Sequence, residues 1–215
     1  MADQIFDLLL GFFTGTFSHY RPLLSHFAAK GKGSDTRFNL HQDWSIVEEE
    51  LYGVMHCWIP LQDVDQTNGT LAVLPGSHLL FHNYRSGTCP IRFTSIDAYL
   101  EGLVHIAAKA GDVVIYHPAL FHGSAANQSD TERLAVVAAI TREEAPHVYF
   151  HQQGDVVNKF ELTDADLFGR LDHLAKGGMP EGKLIGTVPY RVLNMADAEL
   201  IEQLRQHVAK TVSVR

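Results

Sequence analysis

A histidine and an aspartate two positions apart, His41 and Asp43, are the first residues of this sequence that could hold a metal ion. On an extended strand, residues i and i+2 project from the same face, so the imidazole and the carboxylate converge while Gln42 points away. The pair lacks one histidine to form the 2-His-1-carboxylate triad, which binds Fe(II) and leaves coordination positions open for a co-substrate and O2. The missing histidine is expected on a later strand.

His122 is the candidate for the third ligand because it ends the apolar run 112–121, and Arg133 follows eleven residues later. Arg133 enters the apolar segment 134–140, where a guanidinium is costly to bury unless it meets an anion such as a carboxylate. A hairpin around 127–128 is predicted to place residues 122 and 133 on adjacent strands. A dicarboxylate that chelates iron would then satisfy both groups.

The composition limits the classes of protein to be considered. A chain of 215 residues, 46% hydrophobic and 20% charged, predicts one folded globular domain, and a formal net charge of −8 argues against a broad nucleic-acid surface. The two cysteines, Cys57 and Cys89, exclude a disulfide scaffold or a thiolate zinc site and favour a reduced, cytoplasmic setting. The apolar run 5–13 is too short to span a membrane.

Short β-strands separated by turns are predicted for the middle of the sequence. Alternation in the segment 52–59 places His56 and Trp58 on one face of a strand, and Asn68-Gly69 is typical of a tight hairpin turn. Many short strands at this spacing indicate a sandwich or a barrel. Further strands are predicted at 70–74, 104–107, 112–116 and 134–140.

Helices are predicted at both ends of the chain. The apolar spacing in 3–29 fits one or two helices, Thr163 resembles the N-cap of a helix over 164–176, and 195–210 carries apolar residues on one face. We therefore predict a single domain over 1–215, with a β core at about 38–150 and a helical extension at about 160–215. The last helix could pack on its own core or on a second subunit, so a monomer and a homodimer both stay open.

Several of these motifs together resemble the phytanoyl-CoA dioxygenase-like family of Fe(II)- and 2-oxoglutarate-dependent oxygenases, over about Asn39 to Ile140. The fold that the resemblance implies is mainly β: a double-stranded β-helix, the jelly roll of cupin-like proteins, with flanking N- and C-terminal helices. The matching pieces are His41-x-Asp43, Trp58-Ile59-Pro60-Leu61, the run from Asn68 to His78, Gly111-Asp112-Val113, and His122-x-Ser124-x8-Arg133.

The resemblance also implies a reaction. It is the hydroxylation of an aliphatic C–H bond of a small-molecule substrate by O2, with 2-oxoglutarate converted to succinate and CO2. Related halogenases leave the position of Asp43 small, so this aspartate favours hydroxylation. Arg133 and Ser124 are implied to bind the distal carboxylate of 2-oxoglutarate, and Trp58 to line the pocket. The residues implied to bind iron are His41, Asp43 and His122.

Other interpretations of single residues remain. His117 also precedes a turn, but only His122 has the serine and arginine at the family's spacing. His78 is expected to have a structural role in its Pro-Gly-Ser-His turn. The basic cluster near the predicted mouth of the site is interpreted as a solvated loop rather than an anion site; it consists of Lys30, Lys32 and Arg37.

Two further classes of function are kept. A cupin-like metalloenzyme that does not use 2-oxoglutarate would keep the three metal ligands but would not need Arg133. A non-catalytic jelly-roll module that binds a small molecule is the second alternative, because only 40 residues precede His41 and family members usually have a longer stretch there. No nucleic-acid or membrane partner is expected.

Overall fold

Antiparallel β-sheets are the main secondary structure of the described residues. A computed structural model describes residues 11–13, 15–33, 36–80, 83–89, 102–190, 199, 202–204 and 206. The helices whose bounds lie within the described residues are α1 (Ser77–Leu80), α2 (Asp164–Phe168) and α3 (Leu171–Ala175), and residues 11–13, 15–16 and 202–204 are helical as well. The strands are β1 (Tyr20–Lys30), β2 (Phe38–His41), β3 (Val54–Pro60), β4 (Ala72–Val73), β5 (Val104–His105), β6 (Val114–Tyr116), β7 (His122–Ser124), β8 (Arg133–Arg142), β9 (His147–Gln153), β10 (Val156–Leu162) and β11 (Lys183–Pro189).

Two four-stranded sheets carry the site. One has the strand order β1-β8-β3-β6 and the other β2-β7-β4-β5, while β11-β10-β9 form a third sheet. Strands β3 and β8 lie at the centre of the first sheet and are largely buried on both faces, which agrees with their continuous apolar and β-branched sequences. The prediction of a mainly β, cupin-like fold is confirmed.

The N-terminal helical prediction is wrong for residues 20–30, which form strand β1. This strand pairs with β8 from Tyr20 opposite Arg142 to Lys30 opposite Arg133, and this long-range pairing overrides the local helix-like spacing. Pro22 lies at a register shift on the edge strand of its sheet, where its missing N–H is tolerated. The first ten residues of the chain lie outside the described part.

The C-terminal part is only partly helical. Thr163 caps α2 as predicted, since its side chain accepts a hydrogen bond from the backbone N–H of Asp166. The predicted helix over 164–176 is divided into α2 and α3, and β11 forms in a segment predicted to be a helical extension. The predicted helix over 195–210 falls mostly outside the described residues. Among the helices that are described, none is long and apolar enough to cross a membrane.

The Asn68-Gly69 motif forms a turn, and Gly69 has a φ of +75° as this motif predicts. The turn does not close a hairpin, however. The preceding strand β3 pairs with β6 and β8, whereas the following strand β4 pairs with β5 and β7 in the other sheet. The motif therefore connects the two sheets instead of joining neighbouring strands.

Candidate metal and co-substrate site

Strands β2 and β7 bring the two predicted histidine ligands together. His41 ends β2, His122 begins β7, and the two residues are direct partners in the β ladder. Their ring centroids lie 4.3 Å apart. Asp43 follows β2, and its backbone N–H donates to the carbonyl of Pro118 at 3.0 Å. One ligand atom from each of the three side chains lies within 4.8 Å of the others, a spacing that fits a metal ion.

Backbone carbonyl groups orient both imidazoles. Nδ1 of His41 lies 2.7 Å from the carbonyl oxygen of Asn39, and Nδ1 of His122 lies 2.9 Å from that of Leu120. Because a carbonyl oxygen only accepts, each Nδ1 carries the proton and each Nε2 keeps its lone pair. The Nε2 atoms lie 3.8 Å and 3.5 Å from the two carboxylate oxygens of Asp43. Such fixed tautomers are the usual arrangement around metal-binding histidines.

The protonation states suit a divalent cation. Burial lowers the pKa of His122 to about 4, so its imidazole is neutral at pH 7. Burial alone would raise the pKa of the Asp43 carboxyl, but the imidazoles of His56, His122 and His41 together hold that pKa below its usual range. A neutral imidazole and an ionised carboxylate are the forms that bind metal.

The depressed pKa of His122 predicts acid sensitivity of the metal-free protein. Between pH 6.5 and about 4 the unfolded chain takes up a proton at His122 that the folded chain does not, so the stability falls as the pH falls. The shift corresponds to about 3 kcal/mol over this range. The free energy of unfolding is measured by urea titration at several pH values with a chelator present. Between pH 6.5 and 4 it should fall by about 3 kcal/mol less in His122→Ala than in the unsubstituted protein. An equal fall in the two proteins would contradict a depressed pKa at His122.

His56 is a site residue that sequence reasoning did not distinguish from the core. It lies on β3, is 7% exposed, and places Nδ1 2.8 Å from Oδ2 of Asp43. The sheet that does not carry the candidate histidine ligands thus also contacts the carboxylate. The predicted alternation that sets His56 and Trp58 on one face was the available signal, since both residues line the same cavity.

Arg133 and the candidate metal ligands line one cavity of about 260 Å³. The guanidinium is 2% exposed, donates to the carbonyl of Ala28 at 3.2 Å, and its Nε atom has no hydrogen-bond partner among the described residues. Its Cζ atom lies 5.6 Å from the centre of the Trp58 ring. Burial lowers the pKa of Arg133 to about 10, which leaves it charged at pH 7. Ser124 lines the same cavity.

The predicted hairpin between residues 122 and 133 is wrong. His122 lies on β7 and Arg133 on β8, and these strands belong to different sheets. The two residues share a cavity because the sheets face each other across it. The rest of the cavity wall is largely apolar and includes Leu24, Phe38, Trp44, Ile46, Leu71, Val137, Phe168 and Leu171.

A buried ion pair supports the backbone at Asp43. Nε of Arg85 donates to the carbonyl of Asp43 at 2.8 Å, and another guanidinium nitrogen binds the carboxylate of Glu49. The side chains of Arg85 and Glu49 are only 3% and 4% exposed. Sequence reasoning missed this pair, because Arg85 lies far along the chain from both of its partners and in no recognised motif.

Replacing Arg85 with methionine should destabilise the protein by about 3 kcal/mol, because it leaves the Glu49 charge buried without its partner. Denaturant unfolding of the metal-free protein measures this loss. Lys109→Met is the matched control, since Lys109 and Asp63 form an exposed ion pair at 2.8 Å. That control should leave the unfolding midpoint unchanged. Equal effects of the two substitutions would contradict a supporting role for Arg85.

Three other predictions concern residues near the site. His117 does not line the cavity; its Nδ1 accepts from the backbone N–H of Ala119 at 3.0 Å, and its ring stacks on His78 at 5.7 Å. Lys32 and Arg37 are exposed as predicted, but Lys30 is fully buried, so its assignment to a solvated loop is wrong. Cys57 and Cys89 are free, buried thiols.

The sequence profile of the phytanoyl-CoA dioxygenase (PhyH) family matches residues 13–135, which are 123 of the 215 residues. The chain belongs to this family. The peroxisomal phytanoyl-CoA dioxygenase of Bos taurus is 36% identical over 109 residues, which are 47% of this chain and 32% of the bovine protein. The Homo sapiens protein is 34% identical over the same shares. The match thus spans about a third of the length of these PhyH relatives.

Solved structures share the fold. A non-heme monooxygenase, ThoJ in its apo form, superposes with a TM-score of 0.53 and 17% identity, covering 96% of this chain and 74% of ThoJ. The epimerase SnoN, in complex with Fe3+, alpha ketoglutarate and nogalamycin RO, gives a TM-score of 0.50 and 21% identity, covering 65% of this chain and 56% of SnoN. At these sequence identities, the two structures show only that this PhyH family member shares their fold.

Proposed function

We propose that this chain is an Fe(II)- and 2-oxoglutarate-dependent dioxygenase that hydroxylates an aliphatic C–H bond of a small molecule and releases succinate and CO2. The observation that carries the proposal is the presence of two oriented imidazoles, one carboxylate and the buried Arg133 in a single cavity. A metalloenzyme that does not use 2-oxoglutarate would have no need of this guanidinium. Membership of the family adds support.

Each residue has a role in this reaction. His41, Asp43 and His122 would hold Fe(II), which supplies O2 activation coupled to the oxidative decarboxylation of 2-oxoglutarate. Arg133 binds the distal carboxylate of the co-substrate and orients it, with Ser124 beside it in the cavity. Trp58 covers one face of the guanidinium and keeps water away from that end.

The remaining cavity wall supports a small-molecule substrate with an apolar portion. Trp44, Ile46, Phe168 and Leu171 line the cavity and carry no charge. Such walls position an uncharged group next to the metal by excluding water from it. Asp43 occupies a ligand position, which supports hydroxylation over halogenation because a halide would need that place on the metal.

Succinate formation tests the proposal. The protein is incubated with Fe(II), 2-oxoglutarate and O2, alone and with panels of small molecules, beside His41→Ala. We expect succinate that depends on iron, stimulation by the substrate, and one oxygen atom from 18O2 in the product. Succinate at the level of His41→Ala despite bound iron would favour a metalloenzyme of another kind. Absence of iron binding would favour the non-catalytic module.

A further inference from the structure

Lys30, the last residue of β1, has a completely buried side chain. Its ammonium group donates to the carbonyl oxygens of Thr36 and Ala125, the latter at 2.6 Å, and lies 3.5 Å from that of Ser124. Thr36 precedes β2, and Ser124 ends β7. These are the two strands that carry the histidine ligands. A single ammonium group therefore links β1 to both of them.

This link joins the two sheets, because β1 belongs to one and β2 and β7 to the other. The turn at Gly69 closes over it. A Cβ atom at Gly69 would lie 3.1 Å from Cδ of Lys30 and 2.7 Å from the carbonyl oxygen of Ala125, and its φ of +75° also favours glycine. The Asn-Gly motif thus provides the space in which the lysine side chain is enclosed.

Lys30 is also the direct partner of Arg133 across the pair of strands β1 and β8. Like charges at such opposed positions destabilise a sheet, and both of these side chains are buried. Burial, and then the charges of Arg133 and Arg37, lower the pKa of Lys30 to about 8, which leaves most of it charged at pH 7. Within the described ranges, neither Lys30 nor Arg133 forms an ion pair with a carboxylate. Lys30 does not itself line the cavity, but its strand partner Arg133 does, so the two charges leave an excess of positive charge at and behind this end of the cavity that an anion would balance.

We propose that Lys30 is a positioning residue for the distal carboxylate of the co-substrate. It holds Ser124 in place relative to Arg133, and it adds a second positive charge behind the guanidinium. The cavity would then select a 2-oxo acid with a second carboxylate over one without it. This inference rests on the proposed function and extends it to a residue outside the motifs described above.

Two 2-oxo acids separate this role from a merely structural one. 2-Oxobutyrate offers the same chelating carboxylate and keto oxygens as 2-oxoglutarate but has no distal carboxylate. Each is titrated anaerobically into the Fe(II)-loaded protein, and the visible charge-transfer band is followed. Lys30→Met should raise the Kd for 2-oxoglutarate about tenfold, with the Kd values for 2-oxobutyrate and Fe(II) unchanged. Lys30→Arg should recover part of the loss.

Lys32→Met, a change of an exposed lysine two positions away, is the matched control and should leave every Kd unchanged. If Lys30→Met does not fold, Lys30→Gln replaces it, because glutamine keeps donors for the carbonyl oxygens but lacks the charge. Lys30→Gln should then show the same loss of affinity for 2-oxoglutarate with the Kd for 2-oxobutyrate unchanged. Equal weakening of both 2-oxo acids, or no weakening of either, would overturn the role of Lys30. Failure of the unsubstituted protein to bind 2-oxoglutarate would instead contradict the proposed function, and this role with it.

Discussion

Replacing His122 with alanine is expected to weaken Fe(II) binding more than about 100-fold, because it removes one of the ligands of the candidate triad. His26 and His56 also line the cavity, but among the described residues only His41, Asp43 and His122 bring ligand atoms within 4.8 Å of one another. Anaerobic equilibrium dialysis of the metal-free protein with Fe(II) measures the change. Circular dichroism checks that the variant keeps the native β structure.

His117→Ala is the control, because His117 is the rival histidine and does not line the cavity. It should leave the Fe(II) affinity within about twofold of the unsubstituted protein, a difference well below the loss expected for a ligand. An unchanged Fe(II) affinity in His122→Ala, or a loss of similar size in His117→Ala, would show that His122 is not the metal ligand.

Replacing Arg133 with leucine should weaken 2-oxoglutarate binding about 100-fold, which corresponds to about 3 kcal/mol, while Fe(II) affinity stays the same. The metal-free protein should be no less stable than before, because an apolar side chain replaces a buried guanidinium whose Nε has no partner among the described residues. A titration with 2-oxoglutarate should therefore show a large loss of affinity, whereas denaturant unfolding should show no loss of stability.

Arg142→Leu provides the comparison for Arg133, since Arg142 ends the same strand and pairs with the exposed Glu144 at 3.1 Å. This substitution should change neither the affinity for 2-oxoglutarate nor the stability of the metal-free protein. If Arg133→Leu bound 2-oxoglutarate normally, the anion site would lie elsewhere. A large loss of stability in Arg133→Leu without a loss of affinity would make the guanidinium a structural group.

The grouping of the candidate metal ligands could be predicted from the sequence for local reasons. His41 ends β2 and Asp43 follows two positions later, close enough for their ligand atoms to meet, and a motif that also contains Ser124 and Arg133 identified His122. The placement of Arg133 was harder to predict. Arg133 and His122 share a cavity because their two sheets face each other across it. The predicted hairpin also placed the two residues near each other, but the structure has no such hairpin between β7 and β8.

Other features depend on contacts that no local pattern encodes. Residues 20–30 have helix-like apolar spacing, and their strand conformation comes from pairing with β8 more than a hundred residues later. Lys30 looked like a loop residue because glycines and polar residues follow it, yet the turn at Gly69 encloses it. Arg85 and His56 contact Asp43 only after the sheets have assembled. These contacts arise from long-range packing, which could not be predicted from local sequence patterns.

In the proposed function, one cavity holds both a metal chelated by His41, Asp43 and His122 and a dicarboxylate bound by Arg133. Anaerobic addition of Fe(II), and then of 2-oxoglutarate, to the metal-free protein tests both parts in one optical titration. We expect a visible metal-to-ligand charge-transfer band that saturates with one 2-oxoglutarate per chain. Bound Fe(II) with no band at any 2-oxoglutarate concentration would contradict a shared site for the metal and the dicarboxylate.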